Sequence, residues 1–350
     1  MERGGGHAQG VKRATRIVEP PASANAKVIV RSFSRVGSLS PLHAQVGNSN
    51  PPVDLPDVTD MIDAPAPEGI IRVYSASFVA RKHASMPELI HPTAIIDPKA
   101  RLGADVHVGP YCIIGPDVEI GDGTWLQHHI TILGPSKIGA RNRFHAYGSI
   151  GQQTQDLKYA GEPTFLEIGD DNNFREFCTV HRATGIGLKT IIGSHNQFLS
   201  YAHVAHDCVI GSHCILSNNA TLAGHVTVED HVIISGLTAV HQFCRLGQRA
   251  ITGGCAKIVQ DIPPFTVADG NPARARGLNL IGLRRANFSE DQIKSLNSAY
   301  RTLYRKGLNT TQAIETIRAK PMTPDVEQFI TFVEASQRGI ISVTKRATDD

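Results

Sequence analysis

The chain has 350 residues, 41% of them hydrophobic and 19% charged, with a formal net charge of +3. That is an ordinary globular composition with room for one large domain or two modest ones. No stretch approaches the roughly 18–20 uninterrupted apolar residues of a membrane-crossing helix, so a transmembrane segment is excluded and a soluble protein with no nucleic-acid partner is expected.

Residues 1–53 carry seven basic side chains (Arg3, Lys12, Arg13, Arg16, Lys27, Arg31, Arg35) against Glu2 and Glu19. Basic, acid-poor and rich in Ser, Ala and Gly, this stretch has the composition of an organelle transit peptide. Arg31-Ser32-Phe33-Ser34-Arg35 suits a mitochondrial one, with a plastid address as the alternative. A disordered tail without an address has the same composition. From Pro51 to Gly69 five prolines alternate with acidic residues, which reads as a linker. Residues 1–85 are therefore expected to be presequence and linker.

From residue 90 the dominant signal is a period of six. Large apolar residues stand at Ile90, Ile96, Leu102, Val108, Ile114, Ile120 and onward through Ile186 and Ile192 to Leu246 and Ile258. Of the 29 positions in this series, only Asp156, Glu162 and Thr252 depart from it, too few departures for chance. Small residues recur four places after each anchor, as at Ala94, Ala100, Val106 and Cys112. A helix needs a period near 3.6 and a half-buried strand a period of 2, so neither fits. One large and one small inward residue in every six describe a flat side of a triangular prism, three sides making a coil of eighteen. The predicted fold is mainly β, a left-handed parallel β-helix of hexapeptide repeats over residues 86–270. Asn and Gly are expected at its corners, where the backbone turns.

Five of the six cysteines (Cys112, Cys178, Cys208, Cys214, Cys244) occupy the small inward position and read as buried packing residues, not disulfides or metal ligands. Between Ile150 and Ile168 the anchors vanish, so Gly151–Glu167 should loop out and rejoin at the same corner. Pro263-Pro264 should end the coils. Ser289 followed by Glu290-Asp291 predicts a capped helix to about Lys306, stopped at Gly307, with two more starting at Thr310 and Pro324. Residues 271–350 are thus expected to form a small helical domain.

Six histidines lie between Tyr201 and His241. Eighteen-residue steps place His206 in an outward row with Gly224 and Gln242, next to His225 and His241, with His203 in the same coil. Zinc binding and general-base catalysis both suit such a cluster, and the spacing leaves the choice open.

The segments Ile90-His91-Pro92-Thr93-Ala94, Gln155-Asp156-Leu157-Lys158-Tyr159-Ala160-Gly161-Glu162-Pro163, Ala202-His203-Val204-Ala205-His206-Asp207-Cys208, Asn218–His225 and Thr238–Phe243 closely resemble the UDP-N-acetylglucosamine O-acyltransferases that begin lipid A synthesis. The resemblance runs from about residue 86 to about 340. It implies transfer of a 3-hydroxyacyl group from acyl carrier protein to the 3-hydroxyl of UDP-N-acetylglucosamine, by a homotrimer with no metal and no bound cofactor. His206 would be the general base, Asp207 its orienting partner and the Gly224 N–H the oxyanion donor. Asp156, Lys158, His203, His225, His241 and Gln242 would surround the sugar nucleotide, in a cleft between two subunits. Asn279 and Arg285 would meet the nucleotide or its phosphate, and Gly254 would admit a long, hydroxymyristoyl-sized chain.

Residues 271–320 hold ten basic groups against three acidic, a surface suited to the acidic carrier protein. Ile281 and Ala286 depart from the family, which more often has an acidic and a basic residue there, and the presequence points to an organellar, plant-type version. The competing readings are a related N-acyltransferase, a β-helix carbonic anhydrase-like zinc protein and a non-catalytic trimeric scaffold.

Overall fold

The structure is a computed structural model describing residues 89–343, so the predicted presequence and linker lie outside the described residues. The anchors fall on three faces in turn. Short strands stack into three sheets of nine, eight and ten strands, paired in parallel with the strand one coil away, as Ile95 with Ile113 and Val204 with Leu222, except at the last strand of the ten-stranded sheet. This is the predicted left-handed parallel β-helix, followed by α-helices.

Like residues stack on like. Val108, Leu126, Ile132, Leu216 and Leu222 are completely buried along the axis, each contributing about 1.5–3 kcal/mol of burial free energy. Phe144, Phe174 and Phe198 stack at 4.9 and 4.5 Å. All five inward cysteines are buried and Cys255 is exposed; burial pushes the thiols of Cys178, Cys208 and Cys214 up to about 12. The small column also holds a polar ladder that the small-residue rule did not foresee. Asn172 donates from Nδ2 to Asn142 Oδ1 at 3.0 Å, and its own Oδ1 accepts the Asn196 N–H at 2.9 Å. Burial costs these amides little because the coils above and below supply their partners. The corners differ from expectation as well. Asp105, Tyr111, His129, Tyr147, His213 and His225 take positive φ there, and ring stacking such as Tyr147–Phe177–Tyr201 at 5.0 and 4.8 Å helps offset the backbone cost.

Two insertions carry the site. Ile120 pairs with Ile138 eighteen residues on, but Ile138 pairs with Ile168 thirty residues on, so twelve residues are inserted. This first loop leaves one sheet at Gln152 and enters the next at Phe165, the same corner that the coil before it turns between Ile132 and Ser136, so it rejoins the corner it left, as expected. Ile168 pairs with Ile192 twenty-four residues on, which reveals a second insertion, of six, before Lys189. Ile186, counted in the sequence as an inward anchor, stands on this second loop and is 80% exposed. An insertion of six keeps the hexapeptide phase, so periodicity could not disclose it.

The coils also continue past Pro263-Pro264. Thr266–Gly270 adds a parallel strand beside Ile251–Thr252, and Ala273–Leu278 folds back antiparallel on it. Four helices follow: α1 (Leu280–Arg285), which the sequence reading missed, α2 (Glu290–Arg305), α3 (Thr310–Arg318) and α4 (Pro324–Glu334). Ser289 and Gln292 form the capping box of α2, and Asn309 and Thr323 cap the next two. After α4 the chain returns to the last coils, where Ile340 bridges to Asp261 and Val343 to Ala275. No helix among the described residues is long and apolar enough to cross a membrane.

Candidate active site

Val204 pairs with Leu222, and Leu222 with Val240, so three successive coils present residues eighteen apart in one row. His206 follows the first of these strands. Its side chain is 15% exposed, and its Nδ1 lies 2.7 Å from Oδ2 of Asp207, which is 7% exposed. Asp207 sits at a corner with φ 58°, which turns its carboxylate back beneath the ring of its own neighbour. The same Oδ2 accepts the Thr184 N–H at 3.0 Å, while the Asp207 N–H donates to Thr190 Oγ1 at 2.9 Å. The carboxylate is therefore fixed from two sides, and it fixes the imidazole as Nδ1–H. The lone pair of a neutral His206 is then on Nε2.

Gly224 lies where the repeat arithmetic put it, one coil away. A β-carbon at this position would fall 2.5 Å from Nε2 of His206. Only a residue without a side chain allows the imidazole to occupy this place. The Gly224 N–H donates to no acceptor among the described residues. His225, the next corner, meets the His206 ring edge-on at 5.1 Å, stacks on Phe243 at 4.6 Å and approaches Asp207 Oδ2 to 3.7 Å.

The first insertion loop closes one side of a groove of about 620 Å³, which Asp156, Lys158, His203, His206, His225 and Gln242 all line. This loop leans on the second through Thr184 Oγ1 to Thr154 Oγ1 at 2.7 Å and the Gly185 N–H to Glu162 at 3.2 Å. Hydrogen bonds from its own backbone hold the Glu162 carboxyl below its ordinary range. The six-residue insertion thus props the first loop and orients Asp207 at once.

His203 contacts Thr179 Oγ1 through Nδ1 at 2.7 Å, and behind it His181 meets its ring edge-on at 5.1 Å. Burial lowers the proton affinity of both, that of His181 to about 4, with the neighbouring histidines adding to the effect. Neither Thr179 nor His181 was identified as a site residue in the sequence. Thr179 lies twenty-four residues from its partner His203, outside the eighteen-residue step.

Six of the sequence candidates do not line this groove: Asp207 and Gly224, which lie against the His206 ring, and His241, Gly254, Asn279 and Arg285. His241 is exposed and accepts a hydrogen bond from Arg338 at 2.9 Å. Asn279 caps α1, accepting the Gly282 N–H at 3.0 Å and donating to the Arg249 carbonyl at 3.0 Å. Arg285 ends the same helix. At Gly254 a β-carbon would meet nothing closer than the Gly236 carbonyl at 3.6 Å, whereas at Gly253 it would strike Asp269 at 2.1 Å. The close approach of its own fold therefore requires glycine at position 253 but not at 254.

His206, Asp207 and His225 also offer three ligand atoms lying within 4.8 Å of one another, a set that could hold a cation.

An Acyl-[acyl-carrier-protein]–UDP-N-acetylglucosamine O-acyltransferase of Stutzerimonas stutzeri is 50% identical over 254 residues, 72% of this chain and 98% of that protein. The chain belongs to the UDP-N-acetylglucosamine O-acyltransferase family. Residues 261–341 match domain 2 of this family, and residues 189–224 match the bacterial transferase hexapeptide (six repeats). Among solved structures, the Acinetobacter baumannii family member is 45% identical with a TM-score of 0.71, covering 73% of this chain and all of that one. The Arabidopsis UDP-N-acetylglucosamine acyltransferase is 35% identical with a TM-score of 0.67 over the same shares. The resemblance read from the histidine motifs and the Asp156–Pro163 loop is thus that of a bacterial-type acyltransferase, and the protein is an enzyme.

Proposed function

We propose that this chain transfers a long 3-hydroxyacyl group from acyl carrier protein to the 3-hydroxyl of UDP-N-acetylglucosamine, the first step of lipid A biosynthesis, with His206 as general base. The observation that carries this reading is the Asp207–His206–Gly224 arrangement: Nδ1 held by a carboxylate, Nε2 against a glycine whose N–H has no acceptor among the described residues. Nε2 takes the proton of the sugar hydroxyl as its oxygen attacks the thioester carbonyl. The Gly224 N–H meets the oxyanion of the tetrahedral intermediate. Collapse breaks the C–S bond, and the His206 imidazolium returns the proton to the departing thiolate. Asp156, Lys158, His203, His225 and Gln242 hold the sugar nucleotide in the groove they line.

His241, Gly254, Asn279 and Arg285 belong to the same reaction if a second copy completes the cleft, which is why we assign a homotrimer. That they stand apart from the groove within one chain supports this reading. Gly254, free of steric demands from its own fold, leaves room for a long acyl chain. The composition of residues 1–53 supports a mitochondrial, plant-type version of the enzyme, with a plastid as the alternative. Failure of residues 1–85 to carry a fused reporter into mitochondria would sink that address.

The test is transfer of a mass-tagged 3-hydroxyacyl group from acyl carrier protein by the chain from residue 86 onward, with His206→Ala and an EDTA-treated sample beside it. Transfer that collapses in the variant and ignores EDTA is expected. Transfer lost to EDTA and restored by zinc would favour the second reading, a cation held by His206, Asp207 and His225.

A further inference from the structure

Arg338 lies ninety-seven residues beyond His241, on the segment that returns to the β-helix after α4. Its Nε donates to the Val259 carbonyl at 2.9 Å and its Nη2 to Nδ1 of His241 at 2.9 Å. A guanidinium carries only donors and stays protonated, so the nitrogen it meets must be the bare one. The Gln242 carbonyl stands 3.1 Å from the same Nδ1, and that contact would require a proton on Nδ1. The arginine and the carbonyl therefore demand opposite tautomers, and the arginine offers the shorter, charge-assisted bond. With Nδ1 bare, the proton of the neutral ring is on Nε2.

His206 is held in the reverse sense. Asp207, an acceptor, takes its Nδ1–H and leaves Nε2 bare. Two histidines of one proposed site thus have opposite tautomers, each set by the partner on Nδ1. Arg338 also lines a cleft with His225, Phe243, Arg245 and Asp261, and His225 and Phe243 belong to the His206 groove as well. In that cleft Asp261 is occupied by the Arg245 N–H at 2.8 Å and the Ser336 hydroxyl at 2.7 Å, and Arg245 lies 4.4 Å over the Phe332 ring.

We propose that Arg338 is a positioning residue of the acyl transfer read above: it locks His241 as the Nε2–H tautomer, making this imidazole a hydrogen-bond donor to the sugar nucleotide and not a second base. The returning C-terminal segment then has a task in the reaction beyond packing. This inference rests on the acyltransfer reading for its consequence and on geometry alone for its cause.

Two measurements separate these. In the full chain labelled with ¹⁵N-histidine, the His241 signals, assigned by their loss in His241→Gln, should show a protonated Nε2 and a bare Nδ1. Arg338→Met should move the proton to Nδ1, where the Gln242 carbonyl receives it, and Arg338→Lys should keep the original tautomer. In the transfer assay Arg338→Met should raise the KM for UDP-N-acetylglucosamine about tenfold, the value of one lost hydrogen bond, with kcat changed less than about twofold, and Arg338→Lys should restore it. A protonated Nδ1 in the unaltered chain, or a KM indifferent to Arg338→Met, overturns the proposal. An inactive unaltered chain sinks the acyltransfer reading alone, and the tautomer still decides the role of Arg338.

Discussion

Gly224 and His206 occupy one volume between them: a β-carbon on the glycine would lie 2.4 Å from Cε1 and 2.5 Å from Nε2 of the imidazole. Gly224→Ala must therefore move the ring off its hydrogen bond to Asp207. The expected outcome is a fall in kcat of about 10²-fold or more with a smaller effect on the melting temperature, since the group that must give way is the His206 ring, which faces the groove. Gly254→Ala meets nothing closer than 3.6 Å and should leave folding untouched while shifting preference toward shorter acyl donors. Steady-state rates with donors of two chain lengths check both.

Asp207 fixes which nitrogen of His206 is free. In Asp207→Asn the amide can present either its oxygen or its NH₂ to Nδ1, so the tautomer is no longer imposed. A loss of about 10²–10⁴-fold in kcat is expected, with smaller change in KM. A variant within twofold of the parent would remove Asp207 from the mechanism.

Ile186 and Ile192 stand six residues apart in the same periodic series but in opposite environments, 80% and 1% exposed. Ile186→Ser should alter stability by no more than about 0.5 kcal/mol. Ile192→Ser removes a packed side chain and buries a hydroxyl, and should cost about 3 kcal/mol or more. Urea unfolding of the two variants side by side measures the difference, and equal losses would contradict the second insertion.

His181 takes up a proton near pH 6.5 when unfolded, but burial, reinforced by His203 and His206, pushes it down to about 4 in the folded chain. Between those values acid favours the unfolded chain. Stability is constant above about pH 6.5 and falls as the pH drops toward 4, by an amount on the order of 2–3 kcal/mol. The lowered His203 adds a decline of the same sign. In His181→Leu the slope between pH 6.5 and 4 should be shallower; an identical slope would show that His181 has no part in it.

The β-helix was legible because its signal is redundant. Each coil repeats the demand for one large and one small inward residue, and a parallel stack buries every repeat in the same way. The helices α2, α3 and α4 were legible from local capping chemistry at Ser289, Thr310 and Pro324, which needs no distant partner. The row of His206, Gly224 and Gln242 followed from the same eighteen-residue step. Thr179 and His181 were hidden because they lie across an insertion that breaks this step, and Ile186 was misplaced because the insertion preserves the phase. α1 was missed because it spans only six residues, Leu280–Arg285, and has no acidic residue in its first turn.

The sequence by itself determined the coil, its period and the residues that can face outward in one row, because those depend on contacts repeated at fixed spacing along the chain. Only the tertiary structure decided which nitrogen of each histidine is free. That choice belongs to Asp207 held by the Thr184 N–H from the second loop, and to Arg338 returning from the far end of the chain. Both contacts join segments whose spacing no repeat governs, and a hydrogen bond between them depends on where the chain comes back and not on how it is patterned.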